Sequence, residues 1–222
     1  MPPCSQTRRV FSVLTLLTLI FLGFYLRLAL HPGYAADHPP RLSVTLARIS
    51  TVAQRTSVLG YERTNFGQGW AAAPQLGGSC TTRDAIIAMS LADVAFSSRC
   101  TPTSGVGPDP YTGSQLRVGE TPIEIDHVYP LRAAWDMGAH SWDASKRLAF
   151  ANDPMNLVAT SKKENQDKSD SLPSEWLPSG IGARCWYVRR LAYVAAAYGL
   201  PLTTADVAAM RRQCWVRDLL RG

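Results

Sequence analysis

Asp126 and His127 close an alternating run, Ile123-Glu124-Ile125-Asp126-His127, and are followed by Asn156 and then by Asn165 and Lys168. A carboxylate, an imidazole, two amides and an ammonium thus follow one another in the order strand end, loop, strand, helix. One-metal phosphodiester cleavage uses these groups: hard oxygen donors for a divalent cation, a base titrating near neutrality, and a cation for the phosphate.

Each residue type has a job in that chemistry. Histidine takes a proton from water near pH 7 without a large pKa shift. Beyond the N-terminal segment, His38 lies in a Pro-rich linker and His140 in the loop Gly138-Ala139-His140-Ser141, so His127 alone ends a strand directly after a carboxylate. Asp126 offers an anionic oxygen and Asn165 a neutral one. That pair suits Mg²⁺, with Mn²⁺ as a substitute, because Mg²⁺ keeps part of its water shell; zinc would ask for Cys or His. Asn156 can bond loop backbone and hold the His127 strand at its distance from the helix. Lys168 follows Asn165 by three residues, on one helical face, and could neutralise charge on the phosphorane. Taken singly, each has a structural reading: a strand-end histidine, a turn asparagine, a solvated lysine. Their joint placement is what points to a site.

The elements that must position them follow from pattern. Apolar residues at Val44, Leu46, Ile49, Val52 and Ala53 predict an amphipathic helix over 43–56, and 61–78 is Gly-rich, aromatic and irregular. Thr81 or Thr82 caps a helix predicted to reach Phe96, with Ile86, Ile87, Leu91 and Val94 inward. A turn-rich loop over 101–113 ends in Asp109-Pro110-Tyr111-Thr112-Gly113. Residues 115–118 and 123–127 read as the strands of one hairpin. Two short helices, 131–137 and 143–151, precede a strand at 156–160 and a short helix at 161–168. A helix over 182–198 stops at Gly199-Leu200-Pro201, and Thr203 or Thr204 caps a last one reaching Leu220.

The N-terminus reads as a targeting segment. Arg8 and Arg9 precede an uncharged run from Val10 to Leu26, and Gly33-Tyr34-Ala35-Ala36 offers small residues for signal cleavage. The run is longer than a signal core of about 7–15 residues and shorter than the roughly 20 of a membrane span. A cleaved signal and an uncleaved anchor through residues 10–30 both remain open; either way the rest is exported. The reading is therefore residues 1–36 as signal peptide or anchor, 37–78 as linker and packing helix, and 79–222 as the functional domain.

Cysteine usage agrees with export. Cys4 precedes the apolar run, leaving Cys80, Cys100, Cys185 and Cys214 as an even set. Of three pairings, Cys80–Cys100 and Cys185–Cys214 are favoured because each brackets a helix and its return. No two cysteines have zinc-knuckle spacing. The formal charge of +6 overstates the exported part, because three of the 23 basic residues are Arg8, Arg9 and Arg27. The remainder is mildly basic, which permits nucleic-acid binding without requiring it.

Asp126-His127-Val128-Tyr129-Pro130, Asn156-Leu157-Val158 and Asn165-Gln166-Asp167-Lys168-Ser169-Asp170 resemble the three elements of the HNH, or ββα-metal, endonucleases. A more specific resemblance is to secreted HNH-like proteins related to the C-terminal domain of modification-dependent restriction enzymes. It is carried by Asp109 to Gly113, Ile125 to Val128, Trp135, Trp142, Phe150-Ala151-Asn152-Asp153-Pro154, Asn156-Leu157 and Trp176-Leu177-Pro178. The resemblance implies an α+β fold with a small ββα-metal core and short hairpin, wrapped by helices and stapled by disulfides. It implies His127 as general base, Asp126 and Asn165 as ligands of one Mg²⁺, and Asn156 as the loop brace. Where many HNH proteins carry a Cys-x-x-Cys knuckle this chain has Asp109 to Gly113, so no structural zinc is implied. The expectation is an exported, monomeric, metal-dependent endonuclease acting on nucleic acid, DNA before RNA. The alternative is an inactive HNH-fold binding or envelope protein. No Gly-x-Ser-x-Gly or His-Glu-x-x-His motif supports another hydrolase class.

Overall fold

The computed structural model describes residues 13–22, 39–77 and 79–219, with side chains through Trp215. The chain divides into two units, residues 1–32 and 33–222. In the first, residues 13–22 are helical, and its apolar side chains are exposed. The charged and cleavage-site residues expected to flank this segment lie outside the described residues. Among the described residues no helix is long and apolar enough to cross a membrane.

The second unit mixes helices with small sheets. Its first helix, α1 (Leu42–Leu46), is far shorter than the periodicity predicts. Val52 belongs instead to β1 (Thr51–Val52), which pairs in parallel with β7 (Leu202–Thr203). Thr51 and Val52 are both β-branched, and here tertiary pairing overrides a weak helical pattern.

The helix predicted to run to Phe96 stops sooner. In α2 (Thr82–Ser90), Thr81 and Asp84 form a reciprocal capping box. The chain then turns into β2 (Ala92–Phe96), which pairs with β3 (Pro102–Pro108), a stretch whose Pro and Gly content reads as loop. β4 (Gln115–Arg117) completes that three-stranded sheet by pairing with β3. The hairpin expected between β4 and the next strand is thus not formed. β5 (Ile123–His127) pairs with β6 (Leu157–Ser161) in unbroken antiparallel register, His127 opposite Leu157 and Ile123 opposite Ser161. The sequence pattern found both strands but assigned the wrong partner, since alternation reports a strand and not its neighbour.

Between β5 and β6 run α3 (Leu131–Asp136) and α4 (Ala144–Asn152), the latter capped by Asp143. After β6, Ser161 caps α5 (Lys162–Lys168). Two long helices follow, α6 (Ile181–Tyr198), closed by left-handed Gly199, and α7 (Thr204–Leu219). The disulfides are Cys80–Cys100 and Cys185–Cys214, as the bracketing argument expects.

The ribbon of β5 and β6 has two unlike faces. Ile125, Leu157 and Ala159 pack with Ile86 and Ile87 of α2, with Leu91 just past its end and with Leu116. The opposite face meets α5 through polar side chains. The main core lies under α6, where Tyr111, Tyr129, Phe150 and Tyr187 are fully buried.

Candidate active site

Strand alternation sends His127 and Asp126 to opposite faces of the ribbon. On the α2 side, His127 is buried, with its Nε2 2.9 Å from the carbonyl oxygen of Ala151 in α4. A carbonyl only accepts, so Nε2 carries the proton and Nδ1 of the neutral ring keeps its lone pair. Among the described residues no hydrogen bond reaches Nδ1. Burial, helped by the charges of Arg63 and Lys168 and opposed by the Ala151 carbonyl, drives the imidazole pKa down to about 3. The ring is therefore neutral across physiological pH. It lines a cavity of about 60 Å³ together with Arg63, Phe66, Gly67, Gly69, Trp70, Leu131 and Ala151. Trp70 lies parallel to it, the centroids 5.5 Å apart and the planes 7° from coplanar.

On the α5 side, Asp126 is sealed from solvent. Its Oδ1 accepts from Lys168 Nζ at 2.9 Å, and its Oδ2 accepts from the Tyr111 hydroxyl. Lys168 also donates to the His127 carbonyl at 2.7 Å and has no exposed surface. Burial raises the Asp126 carboxyl and lowers the Lys168 ammonium, each toward its neutral form, while their mutual attraction opposes both shifts. Lys168, expected to face a phosphate, instead ties the end of α5 to the strand that carries His127. Its burial leaves it no path to a substrate as folded.

Asn165 stands half-buried on the same face and donates to Glu124 Oε2 at 2.7 Å. No hydrogen bond joins it to Asp126 among the described residues. Asn156 is completely buried: its Oδ1 accepts from Tyr129 N at 2.7 Å, and its Nδ2 donates to the Tyr129 and Phe150 carbonyls. It spans the start of β6 and the chain just past His127.

Two residues of the Asp109-to-Gly113 motif, given no role in the site by the sequence reading, complete the frame. Asp109 is buried and accepts from Tyr111 N, Thr160 Oγ1 and Ser161 N, so the Asp109-to-Gly113 loop is clamped onto β6 and the cap of α5. That clamp delivers Tyr111 to Asp126. Gly180 allows the close fit: a Cβ there would sit 2.6 Å from the Tyr111 carbonyl oxygen. The loop motif itself was the available signal, though it does not say which carboxylate Tyr111 meets.

The α5 side offers two carboxylates and an amide, donor types that suit a hard divalent ion. It already holds one cation, because Asp126 balances the Lys168 ammonium. In donor chemistry the residues fit Mg²⁺ or Mn²⁺, which would compete with Lys168 for Asp126. Among the described residues no three His, Cys, Asp or Glu side chains gather as a metal-binding group. The fit rests on Glu124, Asp126 and the Asn165 amide alone.

Residues 99–212 match the model of a family described as the C-terminal domain of GmrSD restriction endonucleases. The chain belongs to this family. Family membership makes it nuclease-related, and the matched residues contain β5, β6 and α5 with every site residue named from the sequence. An uncharacterized secreted protein of Arthroderma benhamiae (strain ATCC MYA-4681 / CBS 112371) is 35% identical over 153 residues, covering 68% of this chain and 72% of that protein. No solved structure matches the chain.

Proposed function

We propose that this chain is an exported endonuclease that hydrolyses phosphodiester bonds of nucleic acid, DNA first, with β5, β6 and α5 as its HNH-type ββα unit. The observation that carries the reading is the His127 ring: the Ala151 carbonyl fixes one nitrogen, the other has no hydrogen bond among the described residues, and the ring lines a cavity that Arg63 also lines.

His127 Nδ1 takes a proton from water while the water oxygen attacks phosphorus. The P–O ester bond opposite breaks, and the departing oxygen takes a proton from solvent. The Ala151 carbonyl then stabilises the imidazolium through Nε2–H. A base with a pKa near 3 is weak alone, but the negative charge of a phosphodiester seated beside it would raise that value. Asp126 and Asn165 are the residues that would hold a divalent ion, which would supply positive charge to the reaction from the α5 side of the ribbon, across the strand from His127. Asn156 and Lys168 keep the His127 strand end in place through Tyr129 backbone and the His127 carbonyl.

The test is digestion of supercoiled plasmid by the full oxidised chain with Mg²⁺ or Mn²⁺, beside a His127→Ala variant of unchanged circular dichroism. Cleavage by the parent that the variant loses supports the reading. Equal cleavage by both places the activity elsewhere. Absence of cleavage by both with either ion favours a binding protein.

A further inference from the structure

The cavity beside His127 is not built by the matched family residues alone. Its outer wall is Arg63 to Trp70, well before residue 99. That segment is docked firmly. Phe66 is buried against Trp135 and Phe150, the Asn65 carbonyl accepts from Arg147 Nε at 2.8 Å, and Ala71 N donates to Asn152 Oδ1 at 2.8 Å. Gly67 and Gly69 have φ of +118° and +155°, conformations that other residues resist, so the turn that brings Trp70 over the imidazole needs glycine there.

Within this wall Arg63 stands apart. Its side chain is exposed, lines the cavity, and forms no ion pair or hydrogen bond among the described residues. The other arginines around the segment are engaged: Arg55 with Asp136 and Asp170, Arg132 with Asp136, and Arg147 with backbone carbonyls. A guanidinium without an ion pair among the described residues, lining one cavity with an imidazole, fits an anion with tetrahedral oxygens, because its planar donors bond two of them at once. Lys168, the cation expected for this duty, is locked on the other face.

We propose that Arg63 binds the scissile phosphate of the nucleic-acid substrate in the cavity beside His127, so that the segment from Arg63 to Trp70 is part of the active site. The inference rests on the phosphodiesterase reading above but names a residue that reading does not contain. Dividing the chain at residue 79 would remove half of the site.

The experiment compares the full oxidised chain with Arg63→Gln and Arg63→Lys variants, Arg63 being exposed enough to replace without disturbing the core. Plasmid cleavage is followed over time, and binding of a fluorescent single-stranded oligodeoxynucleotide is titrated across salt concentrations in the His127→Ala background. Arg63→Gln should lower kcat/KM at least about tenfold, with partial recovery in Arg63→Lys. In binding, it should reduce the slope of log affinity against log salt by about one phosphate contact. Unchanged cleavage and an unchanged slope would overturn the Arg63 assignment while leaving the His127 reading intact. A parent that does not cleave ends the hydrolytic reading; the salt slope then decides Arg63 alone, a reduced slope supporting it as a phosphate contact and an equal one overturning it.

Discussion

The two faces of the β5–β6 ribbon carry opposite solutions to burying a polar group. On the α5 face, Asp126, Lys168 and Tyr111 satisfy one another completely and exclude solvent. On the α2 face, His127 spends one nitrogen on Ala151, the other has no hydrogen bond among the described residues, and the ring lines a cavity with Arg63, which has no ion pair among them. Closed networks rigidify, whereas open valences bind and react. Both faces hang from adjacent residues of one strand, so the closed side fixes the position of the reactive one. This difference implies that damage to the α5 face should appear first as lost stability, and damage to the α2 face as lost activity.

The largest effect is expected at Lys168. Lys168→Met leaves Asp126 a buried, uncompensated charge, at a cost of about 3–5 kcal/mol in chemical denaturation. Adding Asp126→Asn should recover much of that loss, because the charge that needed a partner is gone. A single variant as stable as the parent would show that Asp126 is already neutral and that the ion pair contributes little.

Next comes His127. His127→Ala should lower cleavage by roughly 10²–10⁴-fold, the range of a lost general base, while unfolding free energy changes far less than in Lys168→Met. If the two variants lose stability equally, the contrast between the faces fails and His127 is a packing residue beneath Trp70.

The α2 face also has a signature in pH. The folded His127 pKa of about 3 lies below the ordinary 6.5, so as pH falls below 6.5 the unfolded chain takes this proton first. Stability from this group is full above pH 6.5 and is lost as pH falls toward 3, at up to about 1.4 kcal/mol per pH unit. Asp126 works in the opposite direction, because its raised pKa favours proton uptake by the folded state. The His127 contribution therefore has to be isolated by subtraction. The denaturation free energy of His127→Gln, measured from pH 7 to pH 4, should fall less steeply than that of the parent. Parallel curves would mean that the ring is not desolvated as the structure has it.

Much of this arrangement was legible before any coordinates. Asp126, His127, Asn165 and Lys168 stand on the elements their spacing implied, and Asn156, read as the first residue of a strand, ends the short turn just before it, since a motif binds residue types to local structure over short distances. The helix from Ile181 to Tyr198 was legible for the same reason: its glycine stop is local chemistry. What pattern could not supply was pairing and facing. Alternation marked β4 and β5 as strands but left their partners open, and β3 hid behind Pro102, Gly105, Gly107 and Pro108. The fate of Lys168 was hidden because a helical lysine reads as solvated until a buried aspartate is known to sit above it. Arg63 was missed for the converse reason. Nothing in an irregular segment far upstream announces that it folds across a histidine, and only tertiary contacts through Phe66 and Asn152 bring it there.

The smallest stability effect, and the finest division between the faces, is expected at Asn165. Among the described residues its side chain makes one hydrogen bond, to Glu124, at a half-buried position, so Asn165→Ala should cost only about 0.5–1.5 kcal/mol. If Asn165 also receives a divalent ion, the same variant should need a higher Mg²⁺ concentration for half-maximal cleavage, and chelation by EDTA should abolish cleavage by the parent. A variant with the parent's Mg²⁺ dependence would make Asn165 a brace for Glu124 and nothing more. Cleavage that persists in EDTA would go further: it would place the whole reaction on the α2 face, with His127 and Arg63 acting without an ion and the α5 face reduced to the scaffold that holds them.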